Sequence, residues 1–280
     1  GKSLADDPTF AEAAAPKKSP AVATVYAHLE GMMGWTEFDM KLRDDFIYFT
    51  GVCHETDTCF TFMNVLRQQE SVEGFPGEAL PSTAFYFTKQ GVTDWASLLS
   101  YGDMQETGVR TSDVRNRNRE LSHYLMENAG QELVACLFQR EDTLQEAAAV
   151  LSLSVSDVTE AERMLRSLIN TVSAEERGKT PLITFCYTAN KAYPVYRLPQ
   201  TTLFTQLTGF AEPTSHTYAT FYEGRLLLAP DENSLSRYIR QLDKGEVLNG
   251  AIAYQTGMDN LSDSYHFMLM ADFDHLFHQA

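Results

Sequence analysis

The chain has 280 residues, of which 44% are hydrophobic, and its 38 acidic against 22 basic residues leave a formal net charge of -16. This composition is typical of a folded protein with one or two domains and excludes a disordered chain. An acidic surface repels a phosphate backbone, and no apolar stretch reaches about 18 residues. We therefore predict neither nucleic-acid binding nor a transmembrane segment in this fragment.

The first hundred residues are predicted to contain a meander of antiparallel strands. Residues 37–43 alternate between apolar and charged, which is typical of a half-buried strand. The apolar residues that share one face of this strand are Phe38, Met40 and Leu42. After an Asp-Asp turn, residues 46–53 are predicted to return as a second strand and residues 59–66 to form a third.

A strand over residues 80–87 is predicted to lead into a short helix, with Thr93 as its N-cap and Gly102 beyond its end. From about residue 103 the apolar spacing becomes helical, and a helix is expected to start where Asp157 and Glu160 have the spacing of a capping box. The apolar run at residues 131–139 fits either a strand or a helix.

The last hundred residues contain a hairpin candidate, in which residues 218–222 turn at Glu223-Gly224 and return through residues 225–229. Asp231 then caps a predicted helix that ends near Gly245. Hairpin connections rather than crossovers favour an α+β fold, with largely antiparallel meander sheets and packed helices.

Two distant segments resemble each other. Residues 3–33 match residues 247–277 without a gap, at an offset that pairs Leu4 with Leu248 and Phe10 with Tyr254. We therefore predict part of a tandem repeat, in which a strand-rich lobe (1–102) and a mainly helical segment (103–180) precede a second strand-and-helix lobe (181–280). The last lobe is expected to run into a further repeat. The first residue is Gly1 rather than Met, which indicates a longer natural protein.

The hairpin at 218–229, the helix beginning Ser234-Leu-Ser-Arg-Tyr-Ile and the segment from Leu248 resemble repeated modules of large cell-envelope proteins of Bacteroidetes, classified as domains of unknown function. The resemblance is one of layout and covers about residues 180–280 and 3–100. It implies an envelope or periplasmic location and a non-enzymatic role, and it transfers no catalytic residue.

Four cysteines are too few for a disulfide-dense scaffold, and Cys136 and Cys186 lie in apolar runs that predict buried strand positions. Cys53 and Cys59 are different, because a turn centred on Thr56 would bring them face to face across a hairpin. A disulfide, two free thiols and a metal site in which His54 or Asp57 joins both sulfurs all remain open, although adjacent strand residues such as Cys53 and His54 point to opposite sides.

A polar cluster near the carboxyl end combines Asp272, Asp274, His275 and His278. The two histidines have the i, i+3 spacing of one helical face, so a third ligand would allow metal or acid–base chemistry. The favoured interpretation is structural, because the offset of the internal match aligns His275 with Gly31 and His278 with Gly34.

Taken together, these patterns favour a non-catalytic interaction or scaffolding module of a bacterial envelope protein. Its expected partners are other proteins or its own neighbouring repeats, and no cofactor is predicted. Two alternatives stay open: a domain that binds a small apolar ligand or lipid between sheet and helices, and a metal-dependent hydrolase that uses the cysteine region or the carboxyl-terminal histidines.

Overall fold

The structure, a computed structural model, describes residues 3–15, 21–43, 46–55, 60–105, 110–140, 143–170, 182–210, 216–259 and 261–272. Within these ranges it contains eight α-helices and thirteen strands in mostly antiparallel sheets, so the predicted α+β class is confirmed. The chain divides into two compact units, residues 1–68 and residues 69–280.

The helices are α1 (Pro8–Ala13), α2 (Phe62–Arg67), α3 (Trp95–Gln105), α4 (Ser112–Asn128), α5 (Val158–Asn170), α6 (Leu203–Thr208), α7 (Glu232–Asp243) and α8 (Ile252–Met258). The strands are β1 (Ala23–Leu29), β2 (Met33–Arg43), β3 (Phe46–His54), β4 (Val72–Glu73), β5 (Ala84–Gly91), β6 (Ala129–Arg140), β7 (Thr143–Val155), β8 (Ile183–Tyr187), β9 (Ala192–Arg197), β10 (Tyr218–Tyr222), β11 (Arg225–Ala229), β12 (Ser264–Tyr265) and β13 (Phe267–Ala271). Short 3₁₀ turns lie at Leu4–Asp6, Pro76–Ala79 and Leu248–Gly250.

The first unit is built on a three-stranded antiparallel sheet in the order β1-β2-β3. Helix α1 packs on one face of it, where the ring of Phe10 meets that of Trp35 at 4.7 Å between centroids. Asp7 caps α1 by accepting hydrogen bonds from the backbone of Thr9 and Phe10, and it also accepts one from Trp35 Nε1 at 3.1 Å. Hydrogen bonds from the Thr9 hydroxyl and, to a smaller extent, from the Trp35 side chain lower the pKa of the Asp7 carboxyl to about 2.

The predicted strands at 37–43 and 46–53 are confirmed as β2 and β3, but the third strand expected over 59–66 is wrong. Its described part is the helix α2, which begins after Thr61. The Thr61 side chain accepts a hydrogen bond from Asn64 N, and a hydroxyl in that position satisfies an otherwise unpaired backbone group of the first turn. The helix cap that Thr61 provides therefore outweighs the preference of the phenylalanines in residues 59–66 for a strand.

The second unit contains an eight-stranded antiparallel sheet in the order β13-β5-β6-β7-β11-β10-β9-β8. The sheet consists largely of two similar three-stranded sections that meet where β7 pairs with β11. In the first section β5 is followed by helices and then by the hairpin β6-β7. In the second section β9 is followed by a helix and then by the hairpin β10-β11. The hairpin at 218–229 and the Asp231 cap of α7 have the predicted residues.

Both faces of the large sheet are covered by helices. Alternate residues of β11 show this, because Leu227 packs with α7 and α8 residues such as Tyr238 and Tyr254 in one core. Leu226 and Leu228 line the opposite side with residues of α4, α5 and α6. Cys136 and Cys186 are each 1% exposed, so their predicted buried strand positions are confirmed.

The division at residue 68 differs from the boundaries expected at 102 and 180. Strand β5 lies in the expected first lobe, β6 and β7 lie in the expected helical segment, and β13 lies in the expected last lobe. All four strands nevertheless belong to one sheet. The expected helical segment 103–180 holds two of the longest strands as well as α4 and α5. Long-range strand pairing, which local periodicity does not encode, explains the difference.

Helix α3 also begins and ends differently from the prediction. Its first turn is capped by Asp94, which accepts a hydrogen bond from Ser97 N, while Thr93 interacts with Gln69. Gly102 lies inside the helix rather than beyond it. A Cβ atom there would approach the Gln206 side chain to 3.0 Å, so the glycine permits close packing of α3 on α6.

The two matching segments share three elements in the same order, and the second segment also contains β12, which has no counterpart among the described residues of the first. At one offset they align a 3₁₀ turn, a helix and a strand: Leu4–Asp6 with Leu248–Gly250, α1 with α8, and β1 with β13. Their surroundings differ, since Leu4 is 57% exposed and Leu248 only 4%. Strand β1 pairs with β2, whereas β13 pairs with β5. That the chain belongs to a tandem repeat stays a prediction.

Candidate functional site

The three-stranded sheet of the first unit presents an apolar face. Residues that pair directly across strands have their side chains on the same face, and Val25 pairs with Phe38 while Met40 pairs with Phe49. Leu42 lies two residues beyond Met40 on the same side. We call the set Val25, Phe38, Met40, Leu42 and Phe49 the N-terminal apolar face.

Within the first unit, the described residues leave this face open, although alternation in β2 predicted burial of its apolar side. Val25 is 46% exposed, Leu42 55% and Phe49 54%, while Phe38 and Met40 are half-buried. On the opposite face Glu37 is 9% exposed, whereas Lys41 is exposed. The register confirms which side chains share a face, and much of the apolar side of the strand is accessible.

The predicted cysteine pair is only partly described. Cys53 lies in β3, half-buried and paired with Thr36, while Cys59 lies outside the described residues. Burial raises the pKa of the Cys53 thiol, which lowers its thiolate fraction at neutral pH. The disulfide between Cys53 and Cys59 stays a prediction.

The carboxyl-terminal cluster is also largely outside the described part of the chain. Asp272 is described, and its backbone N–H donates a hydrogen bond to Phe85 O at 2.7 Å. Asp274, His275 and His278 are among residues 273–280, which lie outside the described residues. Among the residues that are described, no group of three or more His, Cys, Asp or Glu side chains is arranged to hold a metal ion.

A charge network that the sequence did not predict spans four strands of the large sheet. Lys89 on β5 donates to Glu132 on β6 at 2.7 Å, and Arg225 on β11 contacts the other oxygen of Glu132 at 2.7 Å. Arg225 Nε also donates to Ser152 Oγ on β7 at 2.6 Å. The Lys89 ammonium also donates hydrogen bonds to the backbone carbonyl oxygens of Glu73 and Gly74, at 3.0 and 3.2 Å.

Its electrostatics favour the ionised state of the Glu132 carboxylate. Burial alone would raise the pKa of Glu132, but hydrogen bonds and charges from Lys89 and Arg225 outweigh it and lower that pKa. The Lys89 side chain is 5% exposed, and its ammonium group is surrounded by these hydrogen-bond and ion-pair partners. Arg225 Nη2 is buried with no hydrogen-bond partner among the described residues. The arrangement ties β5, β6, β7 and β11 together.

The sequence does not predict this network, because its members are separated by up to 136 positions. They come together only through the pairing register of the strands. The one local signal is Lys89, a charged residue in the otherwise uncharged strand β5. A lysine within such a run predicts a buried partner, but nothing in the sequence identifies Glu132 as that partner.

A shallow open groove of about 390 Å³ lies between α4 and α5. Its polar residues include His123 and Glu127, whose ring Nδ1 and carboxylate oxygen are 3.3 Å apart, and Arg163. Both members of the His123–Glu127 pair are well exposed, and such a pair contributes little in water.

The apolar space enclosed by α4, α5, α6 and β11 is much smaller. It offers about 10 Å³, lined by Leu121, Leu165, Phe204 and their neighbours. A volume of that size holds about one water-sized sphere, so a lipid would enter only if these helices repacked. Binding of a small apolar ligand stays a prediction.

Comparisons with known proteins return no match: neither a family model, nor a curated protein, nor a solved structure is similar to this chain. Among the described residues, no helix combines the length and apolarity needed to cross a bilayer.

Proposed function

We propose that the chain is a non-catalytic interaction or scaffolding module of a bacterial envelope protein, in which sheet-and-helix units present surface to protein partners. The observation that carries this proposal is the N-terminal apolar face. The envelope setting rests on the layout resemblance described above, and the repeated units rest on the aligned elements of residues 3–29 and 247–271.

The size of the apolar face supports a role in binding. Its three most exposed side chains, Val25, Leu42 and Phe49, are each about half exposed and together offer roughly 300 Å². Phe38 and Met40 extend the same surface. Contiguous apolar patches of a few hundred Å² on a water-soluble unit are typical of interaction sites. At about 25 cal/mol/Å², covering 300 Å² is worth about 7 kcal/mol before the cost of association.

The distribution of charge supports the same role. The chain carries a net charge of -16, yet the apolar face itself has no charged residue, and the charged residues Glu37, Asp39 and Lys41 lie on the other side of β2. Repulsion between acidic surfaces is therefore weakest where this face meets a partner. An apolar protein surface is the partner that it fits.

Site-specific photo-crosslinking in the natural cell tests the proposal. A photoreactive phenylalanine analogue replaces Phe49 in the whole natural protein, and the matched control places it at Met126, a 46% exposed residue of α4. We expect a discrete crosslinked protein from position 49 and none from position 126. The crosslink should disappear with Leu42→Lys, which puts a charge into the face without touching the probe.

The proposal fails if position 49 gives no product beyond that of position 126, or if its products are unchanged by Leu42→Lys. Thermal unfolding of Leu42→Lys serves as the folding control. Because Leu42 is 55% exposed, we expect a change within about 0.5 kcal/mol.

A further inference from the structure

Strand β8 forms one end of the eight-stranded sheet and pairs, among the described strands, with β9 alone. The pairing is regular: Ile183 lies opposite Tyr196 and Tyr187 opposite Ala192, with no bulge between them. A regular terminal strand keeps one row of backbone hydrogen-bonding groups on its outer side.

The register identifies which residues face outward. Leu182 O accepts from Arg197 N at 2.9 Å, and Thr188 N donates to Lys191 O at 2.9 Å. In an antiparallel ladder, residues that bond to one neighbour alternate with residues that point away from it. Even-numbered residues of β8 therefore bond to β9. The residues whose N–H and C=O point outward are Ile183, Phe185 and Tyr187.

The same three residues also have the accessible side chains. Ile183 is 40% exposed, Phe185 51% and Tyr187 62%, and alternation places them on one face of the sheet. Charged residues, prolines, bulges and strong twist are the usual protections of an edge strand. Strand β8 reads Ile-Thr-Phe-Cys-Tyr and has neither charge nor proline.

We propose that β8 pairs with β8 of a second copy of this chain, antiparallel and centred on Phe185. The strand is complementary to itself in this register. Phe185 faces its own copy, Ile183 faces Tyr187, and each outward N–H meets an outward C=O. The Tyr187 carbonyl already accepts from Arg240 Nε, and its second lone pair accepts the Ile183 N–H of the second copy. Each apolar side chain then has an apolar neighbour across the interface, as an isologous two-fold contact requires.

Electrostatics permit this contact in an acidic protein. Strand β8 itself carries no carboxylate. The charged side chain of Arg240 contacts the strand, because its Nε donates to Tyr187 O at 3.3 Å. In the proposed register the two Tyr187 residues are four positions apart along the strands, or about 14 Å. That distance exceeds the screening length of about 8 Å at physiological salt, so the two Arg240 side chains repel weakly.

The area predicts a weak dimer. Three side chains that are about half exposed contribute roughly 300 Å² per copy, or about 600 Å² in all, with some backbone in addition. Stable dimers bury about 1,200 Å² or more. We therefore expect reversible association with a Kd weaker than ~1 μM.

Sedimentation velocity over a concentration series into the millimolar range tests the inference, with Phe185→Lys and Phe49→Lys as a matched pair. Both are strand phenylalanines of nearly equal exposure, 51% and 54%, in different units. We expect wild type and Phe49→Lys to dimerise alike and Phe185→Lys to weaken the dimer at least tenfold, because it sets two like charges directly opposite. This inference is independent of the proposed function, which concerns Phe49.

A cysteine scan reports the register. Under mild oxidation, Phe185→Cys should form a covalent dimer readily, because the two positions lie opposite each other, whereas Thr184→Cys, whose backbone faces β9, should not. A wild-type chain that stays monomeric at all concentrations overturns the inference. So do a dimer unaffected by Phe185→Lys, a dimer abolished by Phe49→Lys alone, and equal crosslinking at positions 184 and 185.

Discussion

Replacing Glu132 by glutamine should destabilise the second unit measurably. The carboxylate accepts from Lys89 and Arg225, each at 2.7 Å, and Lys89 is 5% exposed. Removing one partner of a buried ion pair costs about 3–5 kcal/mol, and the 26% exposure of Glu132 reduces the expected loss to about 2–4 kcal/mol. The glutamine keeps the shape of the side chain but not its charge.

Urea unfolding followed by tryptophan fluorescence measures this loss. In a Trp35→Phe background the remaining tryptophan, Trp95, is 7% exposed and lies in the second unit, so its signal reports on that unit. The control is Glu160→Gln, which removes an exposed pair with Arg163 and should not shift the midpoint.

The effect should also depend on pH. The folded-state pKa of Glu132 is lowered from its ordinary value of 4.5, so its contribution is fully present above pH 4.5 and is lost as the pH falls through the lowered value. The difference between wild type and Glu132→Gln should therefore shrink in acid. A difference no larger than that of Glu160→Gln at neutral pH, or one that does not shrink in acid, would refute the reasoning.

Three further changes test the packing of the second unit by urea unfolding. Gly77→Ala should cost about 1–3 kcal/mol, because its Cβ would lie 2.6 Å from the Tyr254 ring, and no loss would contradict that packing. Gly257→Ala, with no heavy atom within 4 Å, should stabilise α8 by about 0.5–1 kcal/mol. Tyr238→Phe should cost about 1–3 kcal/mol, since it removes the part-buried hydrogen bond that the Tyr238 hydroxyl donates to the carbonyl of Ala79.

Elements with strong local signals were predictable from the sequence. The hairpin of β10 and β11 turns at Glu223-Gly224, where both residues have positive φ, and Asp231 caps the helix that follows. The capping residue Asp157 likewise accepts from Glu160 N at the start of α5. In each case a short run of residues contains all the information that the element needs.

The remainder depends on contacts between distant residues. Strand β13 joins β5, so Met268 lies opposite Lys89, and the charge network requires the registers of three strand pairs at once. Apolar alternation in β2 predicted which side chains share a face, but it did not reveal that this face is accessible. Periodicity specifies the two faces of a strand, and only the assembled fold decides which one is covered.

The most direct test of the central claim, that the N-terminal apolar face binds a partner, is oxidative footprinting of Met40. Hydroxyl radicals label the purified chain and the same protein in its natural cell, with Met104, which is 65% exposed on α3, as the internal reference. Binding predicts that Met40 is oxidised in the purified chain and protected in the cell, while Met104 is labelled equally in both. Equal labelling of Met40 in the two samples would contradict the claim.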